Sequence, residues 1–158
     1  MVRSLGVTGH RDPDPLMQCL NRFPFDQILM ALNAADKHHL SFQENLLPLA
    51  VEKQLGIIGM KIPARGRILA SWKPDPDKHG GFEGTASGPG TLAMQEAMYY
   101  VLSQPVSTVI IGCDTIAQLE ENVRFARDFT PLSERQLASL SEKAQPVARQ
   151  ALFFRRWA

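Results

Sequence analysis

Residues 57–62 read Ile-Ile-Gly-Met-Lys-Ile, an almost unbroken apolar run, and they follow an amphipathic stretch from Phe42 to Leu55. A short run rich in β-branched residues predicts a strand that is covered on both faces, which is usual for a strand of a parallel sheet. The stretch before it predicts a helix with an apolar stripe. Gly56 is expected to end that helix as a glycine beyond the last turn. This strand and helix together favour an α/β fold.

The same alternation of short apolar runs and longer amphipathic stretches continues along the chain. Further strands are predicted at residues 4–7, 25–30 and 106–112. Further helices are predicted to begin near residues 12, 92, 115 and 133. The order βαβαβαβα with a terminal helix predicts parallel strands. The four strands form either a small open sheet or half of a (β/α)8 barrel, because a full barrel needs about 250 residues and the chain has 158.

Composition bounds the class of protein. The 158 residues carry a formal net charge of +1, which gives no electrostatic case for nucleic-acid binding. No apolar run approaches the length of a membrane helix, and no secretory signal is evident. Cys19 and Cys113 are too few for a disulfide framework, so we expect a reduced, cytoplasmic setting. The chain is interpreted as a single domain over residues 1–158, with a long Gly/Pro-rich loop at residues 73–91 that is typical of functional loops.

Candidate functional residues follow the predicted strands, because ligands of parallel α/β folds bind at the carboxyl ends of strands. Cys113 and Asp114 follow the fourth strand and lead into a helix whose free backbone N–H groups could bind an anion. The alternative is that Thr115 and Gln118 only cap this helix. Either interpretation remains open from these residues alone.

The predicted third strand is followed by positive charge. Lys61, Arg65 and Arg67 surround Gly66, and they either hold a pyrophosphate or form a solvated surface loop. His10, after the first strand, is either an acid–base group or an ordinary hydrogen-bonding residue.

Two other kinds of site are not favoured. Asp36, His38 and His39 resemble part of a metal site, but a third ligand at convincing spacing is missing, so we expect no metal. Cys113 lies where a thiolate could be stabilised, but no partner histidine is identifiable. No catalytic residue is assigned.

A family resemblance is carried by residues 95–126, which read QEAMYYVLSQPVSTVIIGCDTIAQLEENVRFA. This stretch resembles the last third of aldo-keto reductases, most specifically in its Gln-Leu-Glu-Glu-Asn run. Upstream, the stretches VRSLGVTGH, FDQILMALN and GIIGMKIPARGRIL resemble strands of the same family in the same order. The resemblance covers nearly the whole chain apart from the 73–91 loop.

The resemblance implies a (β/α)8 barrel that binds NADP(H) or NAD(H) and reduces a small carbonyl substrate by hydride transfer. This chain looks like its C-terminal half, which is strands five to eight with a terminal helix. Thr8 and His10 then match positions near the nicotinamide carboxamide, Met60 would stack on the nicotinamide, and Lys61 and Gly66 match the pyrophosphate segment. The adenosine-binding positions are matched by Gly112, Asp114, Gln118, Glu121 and Asn122.

The family's catalytic Asp, Tyr, Lys and His belong to the other half of the barrel. The chain alone is therefore expected to be inactive, either as a truncated fragment or as a half that needs a partner. The alternative functions are a non-catalytic dinucleotide-binding half-barrel and an inert fragment. A half-barrel has exposed strand edges, which predicts self-association.

Overall fold

The computed structural model describes residues 2–73 and 88–157, and it contains a four-stranded sheet in which all neighbours are parallel, in the order β1-β2-β3-β4. The strands are β1 (Gly6–Gly9), β2 (Gln27–Ala31), β3 (Gly56–Met60) and β4 (Thr108–Val109). The helices are α1 (Pro13–Arg22), α2 (Phe42–Glu52), α3 (Met94–Leu102), α4 (Ile116–Arg127), α5 (Glu134–Ala144) and α6 (Ala148–Ala151). The predicted (βα)4 architecture with a terminal helix is confirmed, and the short helix α6 follows the predicted terminal helix, α5.

The two faces of the sheet have different surroundings. Gly59 faces the helices, since a Cβ there would lie 3.1 Å from Val101 Cγ1 of α3. Ile57 lies on the same face by strand alternation, and both residues are buried. On the opposite face Leu29 and Ile58 are side by side and only half-buried. The hydrophobic core therefore lies between the sheet and its helices.

The end of α2 differs from the prediction. The helix ends at Glu52, and Gln54 adopts the left-handed conformation with φ 56°. The Leu55 N–H donates to Ala50 O at 3.0 Å, which is the long bond of a Schellman-type ending. Gly56 instead starts β3, where its N–H donates to Asp26 O at 2.9 Å. The prediction that Gly56 ends the helix was wrong, because Gln54 fills the left-handed position.

The two outer strands are shorter or shifted relative to prediction. The strand predicted at 106–112 is regular only over Thr108–Val109, although Ser107 N–H and Ile110 N–H also donate to β3 carbonyls, at 2.7 and 2.8 Å. The strand predicted at 4–7 lies at Gly6–Gly9. Each outer strand pairs with one neighbour in the described sheet, so only one of its two edges is hydrogen-bonded to another strand there.

The 73–91 loop lies largely outside the described residues, but its ends are described. Gly90 N–H donates to Leu69 O at 2.9 Å, and Ala70 N–H donates to Leu92 O at 2.8 Å. A Cβ on Gly90 would lie 2.1 Å from the Ile68 carbonyl carbon, so this close approach of two backbones requires glycine. Within the described ranges, no helix is long and apolar enough to cross a membrane.

Candidate functional site

The loop after β3 has an unusual backbone. Lys61, Ala64, Arg65 and Gly66 all have positive φ, between 51° and 85°. Only the glycine adopts this region without steric cost. Residues held in such conformations concentrate at functional sites, where the surrounding structure maintains the strain. The strain therefore marks the carboxyl end of β3 as a candidate site.

Positive charge collects at the same place, around the aromatic side chains of the chain's last segment. Arg65 and Arg67 lie 5.5 and 4.4 Å from the Phe153 ring centroid. The Lys61 Nζ atom lies 6.0 Å from the ring centroid of Phe154, the residue that follows Phe153. Burial and the nearby Arg65 lower the pKa of Lys61 and also the pKa of Arg67. Such mutual repulsion between like charges is relieved by a bound anion.

Arg155 and Asp36 form a buried ion pair beside these cations. Asp36 also accepts hydrogen bonds from Ser41 Oγ at 2.7 Å and from Gln43 N–H at 2.8 Å. The Arg155 guanidinium lies 3.8 Å from the Phe42 ring centroid. Burial raises the pKa of Asp36, an effect that Arg155 offsets in part, and burial lowers the pKa of Arg155 to about 10. Arg155 therefore stays charged at neutral pH, and its guanidinium is paired with the Asp36 carboxylate.

Sequence reasoning missed the part that this last segment plays. Residues 152–157 lie across the loops that follow β1 and β2. The Phe154 ring meets the His10 ring edge-on at 5.8 Å, and Arg156 forms an ion pair of 2.8 Å with Asp12. Trp157 stacks on His39 at 3.7 Å. The only sequence signal was the composition of the tail, Phe-Phe-Arg-Arg-Trp, which combines aromatic and cationic groups.

Of the predicted nicotinamide-end residues, two are exposed and the third is half-buried. Thr8 is exposed on the sheet face opposite the helices, and its Oγ1 donates to Leu29 O at 3.1 Å. Met60 is half-buried at the end of β3, beside Ala31. His10 contacts Phe154, and burial, followed by the charges of Lys61 and the two nearby arginines, lowers the pKa of His10 below its ordinary value. Thr8 and His10 lie at the end of β1 and Met60 lies at the end of β3, so β2 separates them, and of the three only His10 has a described contact with the tail.

The start of α4 brings the predicted adenosine-end residues together. Thr115 Oγ1 accepts from Gln118 N–H at 3.2 Å, so the predicted cap is present. The Gln118 side chain accepts from Asp114 N–H at 2.7 Å, one residue earlier than in a regular capping box. The buried Asn122 side chain donates to Cys113 Sγ at 3.3 Å. These bonds fix the loop between β4 and α4 against the first two turns of the helix.

The surface beside this loop is open to solvent. A Cβ on Gly112 would meet no atom within 4 Å, and Asp114 and Glu121 are exposed. Glu121 makes a loose ion pair of 3.8 Å with Arg124 on the helix surface. Because β4 pairs with β3, this open surface and the cationic loop after β3 belong to neighbouring strand ends.

The three residues that resembled part of a metal site have separate partners. Asp36 pairs with Arg155, the His38 Nε2–H donates to Ser141 O at 2.9 Å, and His39 stacks on Trp157. In residues 2–73 and 88–157, no three His, Cys, Asp or Glu side chains gather where a metal ion could bind.

Both tyrosines of the chain lie in α3 and not at a strand end. Tyr99 packs edge-on against Phe129 at 5.2 Å. The buried Tyr100 hydroxyl donates to Gln43 Oε1 at 2.8 Å, and burial raises the pKa of Tyr100 to about 12. The two phenols therefore have structural contacts.

Comparison with known proteins gives similarity at the level of fold. No family model matches the sequence, and no curated protein matches it. Among solved structures, the holo form of the aldo-keto reductase AKR11C1 from Bacillus halodurans matches with a TM-score of 0.62 and 22% identity, over 88% of this chain and 49% of that one. Its apo form matches with a TM-score of 0.61, at 21% identity, over 88% and 50%. The glycerol dehydrogenase AKR11B4 from Gluconobacter oxydans matches with a TM-score of 0.58 and 17% identity, over 89% and 48%.

This chain spans about half the length of the solved structures that it matches. Its four parallel strands and their helices have the fold of half an aldo-keto reductase barrel.

Proposed function

We propose that this half-barrel is the C-terminal, cofactor-binding half of an NAD(P)(H)-dependent oxidoreductase of the aldo-keto reductase type. The observation that carries the proposal is the strained, cationic loop after β3, adjacent to the open start of α4. A nicotinamide dinucleotide has two phosphates between two nucleosides, so it needs positive charge beside an open, polar surface.

The pyrophosphate is assigned to the loop after β3. Lys61 and Arg65 carry the charge, and Gly66 keeps the loop in its left-handed conformation. Of the cations here, Arg65 is the most exposed, so it can reach a phosphate without moving its neighbours. Successive N–H groups in such left-handed turns also favour an anion.

The adenosine is assigned to the start of α4. Gly112 leaves room beside the strand end, and Asp114, Gln118 and Glu121 offer polar groups around it. Asn122 keeps this arrangement in place through Cys113. These residues leave the choice between NADP and NAD open, because the loop arginines could meet a 2′-phosphate while Asp114 and Glu121 suit a free ribose hydroxyl.

The nicotinamide is assigned to Thr8, His10 and Met60, and this end is the one that the tail contacts. The Phe154 ring meets the exposed His10 ring edge-on, so the last segment borders this end of the site. A bound nicotinamide would supply hydride transfer to a small carbonyl substrate, together with the catalytic residues that the family resemblance places in the other half of the barrel. The isolated chain is therefore a binding module. We also propose a cytoplasmic location, since a reducing compartment suits the exposed free thiols of Cys19 and Cys113.

Calorimetric titration of the purified chain with NADPH, NADH, ADP-ribose and adenosine tests the proposal. ADP-ribose, which lacks nicotinamide, is expected to bind about as tightly as NADH, because the proposed charged and polar contacts are made to the pyrophosphate and the adenosine. Arg65→Ala is expected to weaken ADP-ribose binding about tenfold, the size of one lost charge-assisted contact, while adenosine binding is unchanged.

Glu121→Ala is expected to weaken the binding of both ADP-ribose and adenosine. Glu120→Ala, which changes the adjacent exposed carboxylate of α4, beside Leu119 and Val123, is the matched control. Asn122→Ala is expected to abolish binding, and thermal unfolding of that variant checks that the loss is not a loss of fold. A folded chain that binds none of the four ligands would overturn the proposal and leave an inert half-barrel.

A further inference from the structure

The two outer strands of the described sheet each have one unpaired edge, and these are the two opposite edges of the sheet. In the described sheet, β1 is hydrogen-bonded on one side, to β2, and β4 is hydrogen-bonded on one side, to β3. All four strands run parallel, so a further parallel strand at either free edge would continue the sheet as in a β/α barrel. Free strand edges are strong sites of association between chains.

Exposed apolar side chains are concentrated at these two edges. Beside β1, Val2 is 74% exposed and Leu5 is 47% exposed. On α4, next to the β4 edge, Ile116 is 75% exposed, Leu119 52% and Val123 41%. The spacing of these three residues places them on one face of the helix. Ile110, just after β4, is 54% exposed, and because Val109 faces the helices, Ile110 lies on the opposite face of the sheet.

The sheet face opposite the helices is also incompletely covered. Thr8, Leu29, Ile58 and Thr108 form one row across the four strands. The outer two are exposed and the inner two are half-buried. In a closed barrel, rows of this kind fill the interior by packing against the rows of the opposite strands. The row in this chain has half the strands needed for such packing.

We infer that a second copy of this chain closes the sheet into an eight-stranded barrel. The β4 edge of one copy pairs with the β1 edge of the other, and a two-fold axis along the barrel repeats the contact on the opposite side. Leu119 and Val123 of α4 then pack beside Leu5 of the other copy. The inference depends on the fold alone and holds whether or not a dinucleotide binds.

A second copy fits these edges for two reasons. This chain spans 48–50% of the length of the barrels that it resembles, so one more copy supplies as many strands as a closed barrel lacks. The chain also has both kinds of edge, so a single two-fold operation covers both at once, and closed two-fold assemblies are the commonest for soluble chains.

Sedimentation velocity of the full chain over micromolar concentrations tests this inference. The expected species has twice the chain mass of 17.6 kDa. Leu5→Asp at the β1 edge and Leu119→Lys at the β4 edge are each expected to raise the dimer dissociation constant at least about tenfold. Val51→Lys, a change at a residue 46% exposed on α2 and away from both edges, is expected to leave the dimer unchanged.

Mixing the two edge variants distinguishes barrel closure from simple packing of α4 against α4. Leu5→Asp keeps an intact β4 edge and Leu119→Lys keeps an intact β1 edge, so the mixture has one unaltered contact and is expected to dimerise again. A contact of α4 with itself would be insensitive to Leu5→Asp and would not be restored by mixing. A folded monomeric wild-type chain, a series of growing oligomers, or a dimer that tolerates Leu5→Asp would each overturn the inference.

Discussion

Arg155 forms a fully buried ion pair with Asp36, a residue 119 positions earlier in the chain. The pair connects the tail to the loop after β2, and Arg155 also donates to Ala31 O, the last residue of β2, at 3.4 Å. The Ser41 hydroxyl and the Gln43 N–H hold the carboxylate from the other side. The last segment is therefore part of the folded core and contacts the carboxyl end of β2.

Breaking this pair is expected to be costly. Arg155→Met leaves a buried carboxylate without its cation, so the free energy of unfolding should fall by about 3–5 kcal/mol. The double variant with Asp36→Asn should recover part of that loss, because no unpaired charge remains. Chemical denaturation at pH 7 measures both variants.

The exposed pair of Lys143 and Glu96 is the control for this experiment. Its atoms are 2.8 Å apart, but the side chains are 45% and 34% exposed. Lys143→Met should therefore cost less than about 1 kcal/mol. Equal losses of free energy of unfolding in Arg155→Met and Lys143→Met would show that breaking the buried pair costs no more than breaking the exposed pair. The Arg155→Met deficit should also shrink as the pH falls, since burial raises the pKa of Asp36 and its protonation removes the uncompensated charge.

Gly90 is expected to be intolerant of substitution. A Cβ there would lie 2.1 Å from the Ile68 carbonyl carbon and 2.5 Å from Leu69 N, and backbone atoms cannot move aside as a side chain can. Gly90→Ala should therefore lower stability by at least about 1–3 kcal/mol. Gly112→Ala is the matched control, because its new methyl group would meet no atom within 4 Å and should leave the melting temperature almost unchanged. Similar melting temperatures for the two variants would contradict the close approach at Gly90.

The fold could be predicted from the sequence because its signals are local. The apolar run at 57–62 and the helical pattern before it are each read from a few neighbouring residues, and the helix starts at Thr115 and Ser133 are marked by their own side chains. Element boundaries were less predictable. The ladder partner of β4, which lies about 50 residues earlier, decides where that strand ends.

The candidate site was predictable only in part, for the same reason. Lys61 and Gln118 follow strands in the sequence, so the strand-end rule selects them. Asp36 and Arg155 are brought together by tertiary packing across 119 residues, and no periodicity or spacing connects them. The contact of Phe154 with His10 is also long-range, so the tail's contact with the predicted nicotinamide end could not be predicted from either residue.

Gln54 offers a site for stabilisation. It holds the left-handed position after α2 with φ 56°, a conformation that glycine adopts without cost. Gln54→Gly should raise the free energy of unfolding by about 0.5–1 kcal/mol. Glu52→Gly, within the last turn of α2, is the opposing control and should lower it by a similar amount. A Gln54→Gly variant that is less stable than the wild type would show that the Gln54 side chain contributes more than its backbone costs.

The pH dependence of binding is expected to report on His10. Burial, with the charges of Lys61, Arg155 and Arg65, lowers the pKa of His10 below 6.5, so the ring is neutral at pH 7.5 in the free protein. A phosphate ligand offsets these charges and favours the protonated ring. Affinity for NADH should therefore rise as the pH falls through the range in which the ring takes up its proton, by about three- to tenfold once the ring is protonated.

NADH is the suitable ligand because it has no 2′-phosphate that would titrate in the same range. Calorimetry from about pH 8 to about pH 5.5 follows the change. His10→Asn should bind with nearly constant affinity over this range, and His38→Asn, whose ring contacts Ser141, should keep the wild-type dependence. The same lowered pKa has the opposite effect on the ligand-free fold: the unfolded chain binds the His10 proton more readily, so stability falls as the pH drops through 6.5. Affinity that stays flat in the wild type, or that rises equally in His10→Asn, would place the phosphates away from His10.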